Sequence, residues 1–378
     1  GSKLVDNSRV NHSDANYNFR DIIKYGEIQV GGSYRQYQLN SHGRIYTDDN
    51  GPINYNEYGV YAQLQKKYLQ DRLKFTGSVR YDKSKNFDGS FSPRVSLVYS
   101  GGEKKQHNFR GSYQTGFRNP STQDQYIGFN VGSAVLIGSA PDNLTRYTET
   151  RDVANGSPAI GQVYAGGTSV VMTGVNAYQN SYTKASVDQF AAFARANPGN
   201  TPGAALLRVT DVNNVKPEEV QAFELGYRSQ YEGVNIDING YYNIYNNFIG
   251  NTVSVAPLYG TVSEVFDFSQ GAPTYVANPA VQTLHALANG NVRAYQLYTN
   301  TDLEINSLGF GIGLSKKMFG NYDFGVNYNY SEFDFDQAKD PGFEAGFNTP
   351  KHRIKATVGN EKLFENFGFN ASIRWNDE

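Results

Sequence analysis

Val234-Asn-Ile-Asp-Ile-Asn-Gly-Tyr-Tyr-Asn-Ile-Tyr-Asn-Asn-Phe-Ile249 is the stretch whose reading decides the fold. Taken by alternate residues, Val234, Ile236, Ile238, Tyr242 and Ile244 point one way. Asn235, Asp237, Asn239, Tyr241 and Asn243 point the other. Strict alternation describes a strand with one apolar and one polar face. About eleven residues in this pattern is long for a globular strand and suits a tilted membrane-spanning one. The stretch predicts one stave of an all-β, antiparallel transmembrane β-barrel.

The same grammar recurs on both sides of it. Glu27–Leu39 sets Ile28, Val30, Gly32, Tyr34 and Gln36 on one side. Tyr58, Val60, Ala62 and Leu64 oppose Tyr61, Gln63 and Gln65. Leu73, Phe75, Gly77, Val79 and Tyr81 oppose Lys74, Thr76, Ser78 and Arg80. Val95, Leu97 and Tyr99 oppose Arg94 and Ser96, and Phe109 and Tyr113 oppose Arg110, Ser112 and Gln114. Phe223, Leu225 and Tyr227 oppose Glu224 and Arg228. Late in the chain, Phe324, Val326 and Tyr328 oppose Asp323, Asn327 and Asn329; Ile354, Ala356 and Val358 oppose Arg353, Lys355 and Thr357. Phe369, Ala371, Ile373 and Trp375 oppose Asn370, Ser372 and Arg374. This amounts to roughly eleven strands paired as antiparallel neighbours. Residues 1–20 are polar and unpatterned. Residues 292–315 alternate imperfectly, as one bulged strand or a hairpin through 306–309.

Composition agrees with a barrel. Charge is nearly balanced, 34 Lys+Arg against 36 Asp+Glu, which gives no bulk electrostatic basis for binding nucleic acid. The mean hydropathy of -0.57 is compatible with a barrel, because every second strand residue faces a polar interior and the loops are polar. No apolar run is long enough for a transmembrane helix, which says nothing against strands. Cysteine is absent, so disulfides, thiol catalysis and thiolate metal sites are excluded together. The 29 Tyr and 23 Phe suit surfaces where rings sit beside water.

Short links (68–71, 100–107, 229–233, 316–320, 359–366) alternate with long ones (40–55, 82–91, 117–216, 250–290, 334–351). Barrels of the bacterial outer membrane place short turns in the periplasm and long loops outside, and all the short links fall at one end. The 117–216 loop, about a hundred residues, is far beyond the ordinary range. It holds a predicted helix with Ser186 as N-cap and Gln189 completing a capping box, ended by Asn197-Pro-Gly199. A second is predicted in 250–290, with Asn278 as cap, Pro279 at the first helical position and Gly290 as stop.

Several stretches together resemble the TonB-dependent outer-membrane receptors, in particular those of the Bacteroidetes type. They are Phe91-Ser-Pro-Arg94, Asn108-Phe-Arg-Gly-Ser-Tyr-Gln-Thr-Gly-Phe-Arg-Asn-Pro120 with Gln123-Asp-Gln-Tyr126, and Lys216-Pro-Glu218 leading to Glu224-Leu-Gly-Tyr-Arg228. Asn348-Thr-Pro-Lys-His-Arg353 and Ser372-Ile-Arg-Trp375 extend the likeness into the late strands. The resemblance implies a barrel of about 22 strands around a globular plug. Against it, 1–378 shows about half those strands, no plug and no energy-coupling box, and is expected to be part of a longer polypeptide. The implied function is receptor-mediated transport: loops at 117–216 and 250–290 capture a scarce solute such as a glycan, peptide or siderophore, and the plug is pulled to admit it. The implied partners are the chain's own plug domain, the TonB energy-coupling complex, outer-membrane lipid, the small solute or oligomer, and a surface lipoprotein. A passive porin or structural outer-membrane barrel is the rival reading, and a soluble β-rich binding protein a third.

Candidate site residues follow from parity. Arg80, Arg94, Arg110, Glu224 and Arg228 face the lumen, with Arg118 at the rim. They would contact a plug or an anionic solute, or form salt bridges bracing the wall. Glu224 is expected to pair with Arg110 on the neighbouring strand. Tyr126, Phe129, Tyr147, Tyr164, Tyr178 and Tyr182 crowd the longest loop, either as a ligand-capture surface or as that loop's own packing. Asp48, Asn50, Gly51 and Glu57 partly fit a calcium loop, but Tyr46 stands where the first acid is needed, and a plain hairpin loop is the better reading. Glu332, Asp334, Asp336 and Asp340 fit a cation as weakly. His12, His42, His107, His285 and His352 lack metal-ligand spacing. No nucleophile elbow or phosphate loop occurs, and Gly309-Phe-Gly-Ile-Gly313 lacks dinucleotide spacing. The chain is therefore read as a non-enzyme without catalytic residues, metal or cofactor.

Overall fold

Alternating stretches of this kind bury nothing alone and must pair edge to edge, and they do so in sequence order. The computed structural model describes residues 5–197, 201–268, 278–340 and 349–377. Pro198-Gly199 and Asn348, used in the sequence reading, lie outside the described residues. A 12-stranded sheet forms the wall. Its strands are β1 (Arg9–Asn18), β2 (Glu27–Leu39), β3 (Ile53–Tyr68), β4 (Leu73–Ser84), β5 (Ser90–Gly101) and β6 (His107–Arg118). Then come β7 (Glu218–Tyr231), β8 (Val234–Asn246), β9 (Ile305–Met318), β10 (Tyr322–Asp334), β11 (His352–Phe364) and β12 (Phe367–Asn376). Each is antiparallel to the next, and among the described residues β1 does not pair with β12.

Register carries the two faces through the sheet. Trp375, Ile354, Tyr328, Ile312, Ile238 and Tyr227 lie directly across from one another from β12 to β7. One residue along, Arg374, Lys355, Asn327, Gly313, Asp237 and Arg228 form the matching polar row. A one-residue slip in any strand would break both rows at once. On the apolar face Leu225 is 73% and Ile373 70% exposed. An apolar band this continuous needs a non-aqueous neighbour.

Turn chemistry sets the short ends. Between β7 and β8 the link is Glu232-Gly233, both at positive φ, the two-residue hairpin that matches strand twist. The links 69–72, 102–106, 232–233, 319–321 and 365–366 lie at one end of the wall; the 82–91 link, expected to be long, is only residues 85–89 and lies at the other end.

Three expectations are corrected. The segment read as unpatterned contains β1, whose side chains carry almost no apolar signal; it is a strand because the backbone of β2 templates it along its length. Residues 292–315 are neither one bulged strand nor a hairpin. Val292–Asn300 belongs to a second sheet, and β9 starts afresh at Ile305. The loop bounded at 250–290 instead runs from 247 to 304, because Ile249–Pro257 is a strand of that same second sheet.

The segments 119–217 and 247–304 fold together as a head at the end opposite the short turns. Its 5-stranded sheet runs Tyr182–Thr183, Ile249–Pro257, Val292–Asn300, Val135–Ile137, Gly128–Asn130. The core includes Val135, Ile137, Met172, Tyr178, Ala256, Leu258, Tyr295 and Leu297, drawn from both segments. Asn278 caps the Pro279–Ala288 helix by accepting from the amides of Ala280 and Val281, and Gly290 follows it at positive φ, as the sequence predicts. The other helix is Lys184–Ala196, and its cap is Thr183, which accepts from the Ser186 amide; Ser186 is already inside. A smaller cluster of Leu39, Tyr46, Ile53, Tyr55, Tyr126 and Ala140 joins the 40–52 loop to the head.

Candidate functional site

Several charges on the polar face of the wall are held in ion pairs from the head downward. β6 ends and β7 begins on one matched pair, Arg118 and Glu218. Arg118 donates twice, Nε to Oε2 and Nη2 to Oε1, each at 2.6 Å. Glu218 Oε1 also accepts the Ile249 amide at 2.8 Å. One carboxylate thus joins the exit of the first long segment to the entry of the second.

Beside this pair, Glu57 accepts from Asn119 Nδ2 at 2.9 Å and from the Tyr37 hydroxyl at 3.2 Å, with Arg35 Nη1 at 3.6 Å. These groups line a cavity of about 340 Å³ between wall and head, which Arg118 and Tyr55 also border. Arg80 meets Asp82 through two bonds of 2.6 Å and reaches Ser33 across the intervening β3.

Nearer the short turns, Arg228 donates to Asp237 Oδ2 from Nη2 at 2.5 Å and from Nε at 2.8 Å, and Arg110 Nη2 reaches Oδ1 at 3.4 Å. This corrects the expected Arg110–Glu224 pair. The register sets Arg110 opposite Gly226, and Glu224 opposite Ser112 and Tyr241, so Glu224 accepts only a long bond of 3.5 Å from Ser112. Arg94 lies on the same face, opposite Gln114 and Ser78, and forms no ion pair among the described residues. A basic groove of about 920 Å³, bordered by Lys104, Lys105, Arg228 and Asp237, opens at this end.

The loop aromatics have a different place from a capture surface. Tyr126, Tyr147, Tyr178 and Tyr182 are buried, and Tyr164 is half-buried against the same core. Their hydroxyls are engaged: Tyr178 donates to the Tyr298 carbonyl at 2.7 Å, Tyr182 bonds Thr283 at 3.1 Å, and Tyr126 accepts from Asn86 Nδ2 at 2.8 Å. Burial pushes the Tyr126 phenol up to about 12 and raises those of Tyr147, Tyr178 and Tyr182 as well. These four rings pack in the interior, the alternative role that the sequence left open; of the six, Phe129 and Tyr164 keep partial exposure.

Neither weak cation pattern assembles. The Asp48 carboxylate accepts from the amides of Ser41, His42 and Gly43 and from the Ser41 hydroxyl, which closes the 40–52 loop on itself. Glu332 is taken by Lys351 and Tyr330, and Asp340 by Thr301. Among the described residues no group of three or more His, Asp or Glu could hold a metal ion.

Parity alone placed Arg80, Arg94, Arg110, Arg118, Arg228 and Asp237 but missed Arg35 and did not single out Glu57, Asp82, Glu218 or Asp237 as the carboxylate partners. All four occupy the inward parity of their own strands, so the signal was present; the register that joins them was not.

The family described as "TonB dependent receptor-like, beta-barrel" matches residues 3–378. Solved structures of similar fold include the siderophore receptor PirA from Acinetobacter baumannii, 13% identical with a TM-score of 0.50, covering 97% of this chain and 42% of that one. A point mutant of the ferric enterobactin receptor PfeA from Pseudomonas aeruginosa is 13% identical with a TM-score of 0.56, covering 98% and 41%. The FrpB iron transporter from Neisseria meningitidis is 12% identical with a TM-score of 0.52, covering 97% and 42%. The chain therefore spans less than half the length of these structures. No curated protein is similar to it in sequence.

Proposed function

The chain belongs to the TonB-dependent receptor-like β-barrel family, whose members are outer-membrane proteins, and from that premise we propose that it is the wall and head of an energised receptor importing a small solute. The observation that carries the reading is the pairing of an apolar outer face, continuous from β7 to β12, with a polar face bearing Arg35, Arg80, Arg94, Arg110, Arg118 and Arg228. In this reading the head is extracellular and gives the capture surface, and the paired arginines line the path that a plug domain occupies between transport cycles. The chain acts as a receptor rather than an enzyme. TonB supplies the pull on the plug. A surface lipoprotein over the head is the partner implied by the likeness to Bacteroidetes-type receptors.

The solute class best supported is a ferric chelate, because the similar folds include siderophore and ferric enterobactin receptors. Uptake of iron-labelled ferric enterobactin by cells with and without the intact gene tests this. Uptake that requires the gene and stops on adding a protonophore or deleting TonB is the expected result. Gene-dependent uptake indifferent to both would return the protein to the passive porin reading, and no uptake of the chelate would reject that solute class.

A further inference from the structure

Inside the head two arginines meet one glutamate, and the donors left over do not balance. Glu149 and Arg151 stand two apart on Thr148–Asp152, and Arg293 and Tyr295 two apart on Val292–Asn300, so each couple shares a face. Arg293 is only 6% exposed. Its Nε donates to Glu149 Oε2 at 2.9 Å, and its Nη1 to the Gly132 carbonyl at 3.3 Å. The Tyr147 hydroxyl donates to the same Oε2 at 3.1 Å, and Arg151 Nη1 lies 3.5 Å from Oε1. Arg293 Nη2, Arg151 Nε and the Tyr295 hydroxyl are buried with no partner. Seven side-chain atoms are orphaned in this way among the described residues, and three of them belong to residues linked through Glu149 and Tyr147.

A buried donor left unmet is costly, and more so on a cation. A water molecule would satisfy hydrogen bonds but would leave two guanidinium charges, Arg293 buried and Arg151 with its side chain 41% exposed, against one carboxylate. We propose that this cluster binds one compact monoanion of halide size, held by Arg293 Nη2, Arg151 Nε and the Tyr295 hydroxyl. The single excess positive charge matches a monoanion and not a phosphate or sulfate. Tyr147, Glu149 and Arg151 come from the 119–217 segment, and Arg293 and Tyr295 from 247–304. The anion therefore staples the two segments together. It lies apart from the polar face of the wall and does not rest on the transport reading.

The test uses the intact protein in detergent, with chloride exchanged for gluconate at constant ionic strength. Thermal unfolding of the head should shift upward with chloride and saturate, and Arg151→Gln, at a partly exposed position, should abolish the shift while the head still folds. Crystals grown in bromide should show an anomalous peak within hydrogen-bond distance of Arg293 Nη2. Equal melting in chloride and gluconate, an unchanged shift in Arg151→Gln, or a water in place of bromide would each overturn the site.

Discussion

Arg110 reaches Asp237 across an intervening strand, with its Nη2 3.4 Å from Oδ1. The strand between them offers Gly226 at the crossing point, where a Cβ would collide with Nε of Arg110 and crowd the rest of its side chain. Strands two apart are separated by about 10 Å, nearly the full reach of an arginine, so the route over Gly226 leaves no slack. Asp237 consequently serves two guanidiniums, Arg110 and Arg228.

Gly226→Ala should displace Arg110 and erase its coupling to Asp237. Both arginines are well exposed, so an Arg110→Ala/Asp237→Ala cycle in lipid vesicles should give only about 0.5 kcal/mol in the wild-type background. The same cycle built on Gly226→Ala should give nothing measurable. Glu224→Ala should be close to neutral in urea unfolding, and a loss above about 1 kcal/mol would mean that Glu224 holds an arginine after all.

Glu218 carries more, because its side chain is 11% exposed and also receives the Ile249 amide. Glu218→Ala strands that N–H, for about 2 kcal/mol, while the 63% exposed Arg118 side chain turns to solvent. Glu218→Gln keeps an acceptor for Ile249 and should cost less. Hydrogen exchange at the Ile249 amide checks the assignment: it should rise sharply in the alanine variant and little in the glutamine one.

How far the sequence foretold the structure depends on the range of the signal. Wall strands such as β8 and β12 were legible because alternation is a local pattern and the outer medium demands it. β1 escaped because its side chains, from His12 to Asn16, record no apolar face, and only pairing with β2 makes it a strand. The head escaped because its core joins Ile137 to Tyr178 and Leu297, segments that have no shared periodicity. The aromatic residues of the long loop were visible, but ring content does not distinguish a surface from a core. Among the charges, parity revealed the face, while the choice between Glu224 and Asp237 depended on register and on a glycine in the intervening strand.

Alkali should open the head before the wall. The Tyr126 phenol titrates near about 12 when folded, raised by burial from an unfolded value of about 10. A raised folded value means that the stability is complete below the unfolded pKa and drains away as pH climbs from about 10 through about 12. Tyr147, Tyr178 and Tyr182 are shifted in the same direction. Tyrosinate absorbance from these rings should therefore appear together with loss of near-ultraviolet dichroism. Their ionisation at ordinary pH values with the dichroism intact would show that the rings are solvated and the head loosely packed.

The division of the wall into an outer and an inner face admits the most direct check. The absence of native cysteine lets single cysteines be placed without background. Ile236, Ile238 and Ile373 lie on the apolar rows, and Asp237 and Arg374 on the polar one. Cysteine at Ile238 or Ile373 in intact outer membranes should react with a lipid-soluble maleimide and resist a charged one. At Asp237 or Arg374 the preference should reverse, by an order of magnitude or more in initial rate. Neighbouring positions 237 and 238 have the same depth and differ only in parity, so depth cannot produce the contrast. Equal labelling of both by the charged reagent would mean that water wets both faces, and the membrane reading of this sheet would fall with it.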